Sequence, residues 1–421
     1  MSKRDKKRVV VTGMGLITPL GSTKMEFWDA ISNGRSGVKK LTRLDTSLSR
    51  TKIAATIEGF EPKNFIGQKE IKRMDPFTQL AIAATSLAVE DSRLKIDDEV
   101  KEKVGVILGS AVAGIISHEI ASEDLFVRGY RHVNPLTVPL VMFNAGSSNI
   151  CMHFGFTGIS FSISTACSSG SNAIGEAYLK IKNGNAEIMV AGGSDAPISP
   201  VCFCAWDKLR AMSVNNDDPE RACKPFSKNR DGLVLGEGAG MLILESLENA
   251  LHRSARIYGE IIGYGSTSDA FHLTYPNKEQ EVKAIKIALA DSEIVPDDID
   301  YINAHGTGTK ANDKVETESI KEVFGERAYS IPISSTKSMT GHPLGASGAI
   351  ELIACLLTME NNFIPPTINY EIPDPECDLD YVPNTGRKAE MDVSMSNSFG
   401  FGGANAILLV KKWKGIDNEA G

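Results

Sequence analysis

The sequence predicts an α/β protein made of two related halves, and three observations carry that reading. Strand-like apolar runs alternate with amphipathic helical segments, the pattern of buried sheets covered by helices. Glycines cluster in short runs directly after strands, as in Ala191-Gly-Gly-Ser and Gly400-Phe-Gly-Gly-Ala. Finally, one segment is echoed along the chain. Thr165-Ala-Cys-Ser-Ser-Gly-Ser-Asn-Ala and Thr340-Gly-His-Pro-Leu-Gly-Ala-Ser-Gly-Ala each set a reactive side chain before a small-residue turn that opens a helix. Such small residues let two helix starts approach each other, or a ligand, closely. The echo places a join near residue 255, with one half spanning 1–255 and the other 256–421.

Taken in order, residues 9–12 read as a strand on three consecutive valines, and 25–33 and 75–91 as helices. Strand 104–108 precedes a strand-like run at 159–163, helix 173–182 and strand 188–191. Strands 241–245 and 258–263 straddle the join. Helix 279–289, strand 301–304, helix 349–360 and strand 406–410 complete the second half.

Composition narrows the function. The 421 residues are 42% hydrophobic and 23% charged, enough apolar surface for a large core and too much for a disordered chain. No apolar run reaches the ~18 residues of a membrane span. The basic N-terminal segment has no apolar signal core, so export is not expected. Forty-five basic against 53 acidic residues give −8, which argues against nucleic-acid binding and leaves room for a local basic patch facing an acidic protein. The seven cysteines show no Cys-x-x-Cys pair, so neither a metal site nor disulfides are expected, and a reduced cytoplasmic setting fits.

A dinucleotide site fails first. Gly13-Met-Gly15 follows a strand, but Thr18 occupies the third glycine position and no acidic residue ends a suitable second strand. Cys167 is the nucleophile candidate. It stands before a helix beginning near Ser169, where the helix dipole and free N–H groups lower a thiol pKa, among small neighbours that leave room for an acyl group. A single cysteine is more commonly a small buried hydrophobe. Two of the seven histidines supply the missing context: His305 in Asn-Ala-His305-Gly-Thr-Gly-Thr and His342 in Thr-Gly-His342-Pro-Leu-Gly, with Lys337 nearby. Thr307 and Thr309 offer hydroxyls to an amide-rich substrate arm, and Glu316 is expected to pair with Lys337.

Thr165-Ala-Cys167-Ser-Ser-Gly, Asn303-Ala-His305-Gly-Thr-Gly-Thr, Thr336-Lys337-Ser-Met-Thr-Gly-His342 and Asn397-Ser-Phe-Gly-Phe401-Gly-Gly-Ala-Asn resemble the signatures of β-ketoacyl-acyl-carrier-protein synthases, closest to the type II elongating enzymes. The resemblance runs from Val9 to about Val410. It implies the thiolase fold, a duplicated unit forming a five-layered α/β/α/β/α sandwich. It also implies decarboxylative condensation, since Cys-His-His marks the elongating class, with no cofactor. Cys167 would carry the acyl chain. His305 and His342 would stabilise the enolate from malonyl-carrier protein. Lys337, with Glu316, would orient His305.

The same resemblance assigns the remaining residues. Phe401 and Gly402 form a gate and, with the Cys167 N–H, the oxyanion hole; Asp269 and His272 sit in a second gating loop. Val112 and Trp206 line the acyl pocket. Lys69, Lys72, Arg73, Arg131 and Arg210 match positions that dock an acidic acyl carrier protein. A homodimer is implied, with a heterodimer alongside a homologous subunit as the alternative. Asp195-Ala-Pro-Ile-Ser-Pro200 and Trp206 resemble polyketide ketosynthases more than fatty-acid enzymes, which keeps a polyketide or polyene pathway open. The rival from another class is a non-catalytic subunit of the chain-length-factor type, against which Cys167 argues directly.

Overall fold

The structure is a computed structural model that describes residues 6–415; residues 1–5 of the basic N-terminal segment lie outside the described residues. Strands β1 (Val9–Ile17), β2 (Val104–Gly109), β3 (Ser160–Ile163), β4 (Ile188–Asp195) and β5 (Gly238–Ser246) lie in the order β3-β2-β4-β5-β1. Strands β6 (Gly259–Ser268), β7 (Tyr301–Asn303), β8 (Ile333–Ser334), β9 (Val393–Gly400) and β10 (Ala404–Lys412) lie in the order β8-β7-β9-β10-β6. The two orders are the same, strand for strand. So are the directions: β2 is parallel to β3 and β4, as β7 is to β8 and β9, and the remaining pairs are antiparallel. The two sets join where residues 9–11 pair with 259–261.

Six of the helices cover these strands or carry site residues: α1 (Pro76–Ser92), α2 (Ser169–Lys182), α3 (Pro200–Lys208), α4 (Lys278–Ser292), α5 (Lys310–Phe324) and α6 (Ser347–Asn361). Helix α1 packs on β1 and β5, and α4 packs on β6 and β10. Helices α2 and α6 touch each other and strands of both sets. The layers therefore run α1, first sheet, α2 with α6, second sheet, α4. Most of α6 is buried, which is why its sequence is apolar all round.

Gly13-Met-Gly15 has a packing role. A Cβ at Gly13 would stand 2.3 Å from the Ala88 carbonyl oxygen, and one at Gly15 2.1 Å from that of Ala84, so α1 could not lie against β1. Gly263 and Gly265 on β6 meet Ala288 and Ala284 of α4 in the same way, at 2.5 and 2.1 Å. This is a second internal repeat, carried by glycine spacing on strands rather than by helix starts.

Strands β8 and β9 are missing from the periodicity reading. Strand β8 has two residues. Strand β9, Val-Ser-Met-Ser-Asn-Ser-Phe-Gly, is almost wholly buried yet half polar. Its Asn397 Nδ2 donates to Glu316 and its Ser398 hydroxyl meets that of Ser171, whereas the Ser394 and Ser396 hydroxyls are buried without a hydrogen-bond partner.

Candidate active site

Both echoed helix starts point into one cleft between the halves. Cys167 follows β3 and precedes α2, and is 5% exposed. Ala166 before it is held at φ +50°, an uncommon conformation for a residue with a Cβ. The turn is braced on both sides. The Thr165 N–H donates to Ser169 Oγ at 2.9 Å, and Asn172 Nδ2 donates to Thr165 Oγ1 at 2.7 Å. The expected low thiol pKa does not survive burial. Desolvation pushes Cys167 up to about 12, while the Lys337 charge and the Phe401 N–H directed at the sulfur pull the other way. Cys167 therefore rests as a thiol.

His305 lies in the loop two residues after β7 and His342 precedes α6, and both are buried. Their rings stand nearly perpendicular, 84° apart in plane, with centroids 5.4 Å apart. Lys337 Nζ lies 3.2 Å from His305 Nδ1. An ammonium only donates, so Nδ1 accepts and the ring proton sits on Nε2. His342 Nδ1 is 2.9 Å from the Ser347 hydroxyl. Both imidazoles are held well below the usual histidine range, by burial first and by the Lys337 charge second. They are neutral hydrogen-bond donors.

Glu316 does not pair with Lys337. It lies on α5, fully buried, with Oε1 accepting from the His305 N–H and Oε2 from the Gly306 N–H, each at 2.8 Å. Asn397 Nδ2 donates to Oε1 at 3.1 Å. Glu316 thus shapes the backbone of the histidine loop, and burial pushes its carboxyl up to about 7. The partner of Lys337 is Glu351 on α6, in an ion pair with both side chains out of solvent. Glu351 is the nearer of the two in the chain, 14 residues from Lys337, but it lies inside the apolar helix α6, and only the packing of that helix behind Lys337 brings the two charges together. Glu351, the one carboxylate inside the apolar run 349–359, was the available signal.

One cleft is lined by Cys167, His305, His342, Thr307, Thr309, Phe401, Trp206, Asp269 and His272. The Thr307 and Thr309 hydroxyls are 2.9 Å apart. The Phe401 and Asp269 loops are tied together: the Gly402 N–H donates to the Leu273 carbonyl at 2.7 Å, and the Asp269 N–H to that of Gly403 at 2.9 Å. Asp269 is buried and accepts from Asn405 Nδ2, whereas His272 is exposed and accepts from the Thr274 and Tyr275 N–H groups. Val112 lies outside this cleft. It packs with Ala111 and Trp206 against a buried apolar cluster that contains Cys167, Phe203, Leu233 and Leu344. Lys69, Lys72, Arg73, Arg131 and Arg210 are all exposed and lie on three separate stretches of chain.

Asp195 is the residue whose part the sequence least betrayed. It ends β4 fully buried, and four donors converge on its carboxylate.

Over residues 6–250 the chain matches the family "Beta-ketoacyl synthase, N-terminal domain", and over residues 258–371 "Beta-ketoacyl synthase, C-terminal domain". A 3-oxoacyl-[acyl-carrier-protein] synthase 2 of Synechocystis sp. is 44% identical over 416 residues, 98% of this chain and 100% of the relative. Its Staphylococcus aureus namesake is 44% identical over 410 residues, 97% of this chain and 99% of the relative. Among solved structures, the ishigamide ketosynthase/chain length factor superposes with a TM-score of 0.92 at 35% identity, over 97% of this chain and 100% of that one. A type II PKS ketosynthase in complex with its acyl-carrier protein superposes at 0.88 and 34% identity, with the same coverage.

Proposed function

The chain belongs to the β-ketoacyl synthase family, and on that premise we propose that it elongates acyl chains by decarboxylative condensation with malonyl-acyl-carrier protein. The observation that carries this is the pair of neutral, perpendicular imidazoles sharing one cleft with a buried cysteine.

The Cys167 thiol attacks an acyl-carrier thioester. A carbon–sulfur bond forms to Cys167, the bond to the carrier sulfur breaks, and the proton leaves on the carrier thiol. The N–H groups of Cys167 and Phe401 hold the oxyanion, the second supported by its direction at the sulfur. Malonyl-carrier protein then loses CO₂, and the electron pair of the broken bond becomes an enolate. Donors from His305 and His342 stabilise its oxygen. Lys337 keeps His305 in the tautomer that donates from Nε2. The enolate carbon attacks the acyl carbon, the bond to Cys167 breaks, and the sulfur takes up a proton from solvent. Atoms and electrons balance without an oxidant.

Fatty-acid elongation is the favoured pathway, because relatives named 3-oxoacyl-[acyl-carrier-protein] synthase 2 share 44% identity, against 34% for the type II PKS ketosynthase. The presence of Cys167 weighs against a non-catalytic subunit. The halves 1–255 and 256–421, carrying nucleophile and histidines respectively, are supported by the repeated strand order. The exposed basic residues at 69, 72, 73, 131 and 210 suit an acidic carrier protein. A homodimer is supported by Met142 and Phe143, 41% and 49% exposed, and by β3, which leaves one sheet edge unpaired. A reduced Cys167 requires a reducing compartment, hence the cytoplasm.

The test is intact-protein mass spectrometry with acyl-carrier protein, followed by malonyl-carrier protein. Wild type is expected to gain one acyl group and then release a 3-oxoacyl product, and Cys167→Ala to do neither. Release of free acid without the malonyl partner would make the protein a hydrolase and sink the proposal.

A further inference from the structure

Asp195 joins three stretches of chain drawn from both halves. Its Oδ1 accepts from the Ser110 hydroxyl at 2.7 Å and the Val112 N–H at 3.2 Å. Its Oδ2 accepts from the Ala111 N–H at 2.8 Å and the Gly345 N–H at 2.7 Å. The 110–112 turn follows β2 and carries Val112 into the apolar cluster around Cys167. Gly345 lies three residues after His342, and Leu344 between them packs in that same cluster.

The joint is tight and strained. A Cβ at position 345 would meet both the Ala111 nitrogen and Asp195 Oδ2 at 2.6 Å. Ala113 and Leu344, on either side of the knot, are both held at φ +46°. Two non-glycine residues in that conformation need an anchor that over-determines them. A buried carboxylate receiving four hydrogen bonds is such an anchor, and nothing else on these turns is charged.

We propose that Asp195 is a positioning residue that couples the 110–112 turn, whose Val112 packs on the apolar cluster holding Cys167, to the placement of His342 through Gly345. The coupling rests on the condensing reaction proposed above. An acyl chain that pushes on Val112 moves the three donors of the 110–112 turn, and the shared carboxylate passes the displacement through the Gly345 N–H to the loop holding the enolate-stabilising histidine. Chain fit on one side of the cleft thereby sets the efficiency of decarboxylation on the other.

The two oxygens make the proposal testable by unequal substitutions. In Asp195→Asn, the amide oxygen can keep Ala111 and Gly345 while the nitrogen donates to Ser110 Oγ, so only the Val112 N–H loses its acceptor. Asp195→Ala removes all four bonds. Each variant is assayed for acylation of Cys167 across C6–C16 acyl carriers and, separately, for malonyl-carrier decarboxylation. Asp195→Asn is expected to shift the chain-length optimum while decarboxylation falls less than about three-fold. Asp195→Ala is expected to cut decarboxylation at least ten-fold and flatten the chain-length profile, normalised to folded protein by circular dichroism. An unchanged profile in Asp195→Asn would overturn the coupling. So would equal loss of both half-reactions in either variant, the mark of a merely structural role. Should Asp195→Ala fail to fold, Asp195→Asn decides alone. Wild type that neither acylates nor decarboxylates would instead count against the condensing function.

Discussion

The Trp206 indole stacks on the Phe401 ring, with centroids 5.4 Å apart and planes at 25°. The two sides of this contact differ in freedom. Trp206 sits on α3, whose start is fixed by Glu119 accepting from Ser199 Oγ and from the Val201 and Cys202 N–H groups. Phe401 lies between glycines on a loop. The indole thus holds the Phe401 ring against the cleft that both rings line together with Cys167. An aromatic pair is worth ~0.5–1.5 kcal/mol beyond its buried area.

Trp206→Ala is therefore expected to speed acylation by C12–C16 carriers by roughly 2- to 10-fold, the Boltzmann equivalent of that contact. Stopped-flow measurement of acyl-enzyme formation reads the effect. Slower acylation would show that the indole serves the chain as a surface rather than the gate as a latch.

Removing either partner of the buried Lys337–Glu351 pair leaves an uncompensated charge. Lys337→Met and Glu351→Gln are each expected to lower unfolding free energy by ~3–5 kcal/mol, and Lys337→Met/Glu351→Leu by less than their sum. Urea denaturation of the three variants measures it. Additive losses would mean that the two side chains act independently.

Glu316 gives opposite pH trends for stability and activity. Its carboxyl is raised from 4.5 to about 7 on folding, so between those values the folded chain holds a proton that the unfolded chain has lost. The stability this group contributes is complete below pH 4.5 and is lost as pH rises through about 7. Acceptance from both the His305 and Gly306 N–H groups is strongest for the carboxylate, so decarboxylation should rise over the same range. Glu316→Gln should flatten both profiles, because the two histidines stay neutral throughout. A retained rise in activity would assign the titration elsewhere.

His305→Ala and His342→Ala should each slow malonyl-carrier decarboxylation by ~10²–10³, the usual cost of removing an oxyanion donor. Acyl transfer to Cys167 should persist in both. If either substitution abolished acyl transfer instead, that histidine would be the base for the thiol, which rests protonated at a pKa of about 12.

The local residue pattern carried much of this protein. Alternating apolar runs and small-residue helix starts were enough for the α/β class, and the short motifs around Cys167, His305 and His342 were enough for the family resemblance, because each depends on side chains a few positions apart in the chain. Strand β9 escaped that reading, since three serines and an asparagine in eight residues break the apolar pattern of a buried strand.

Partnership between side chains distant in the sequence was decided only by the tertiary structure. Lys337 pairs with Glu351 rather than Glu316, and Asp195 gathers donors from positions 110, 111, 112 and 345. The Cys167 thiol is raised rather than lowered. Hydrogen-bond partners and pKa values are set by which groups share a dry interior, and the chain order does not encode that proximity. Only when α2 and α6 close together between the two sheets does a charge find its counter-charge and the thiol lose its water.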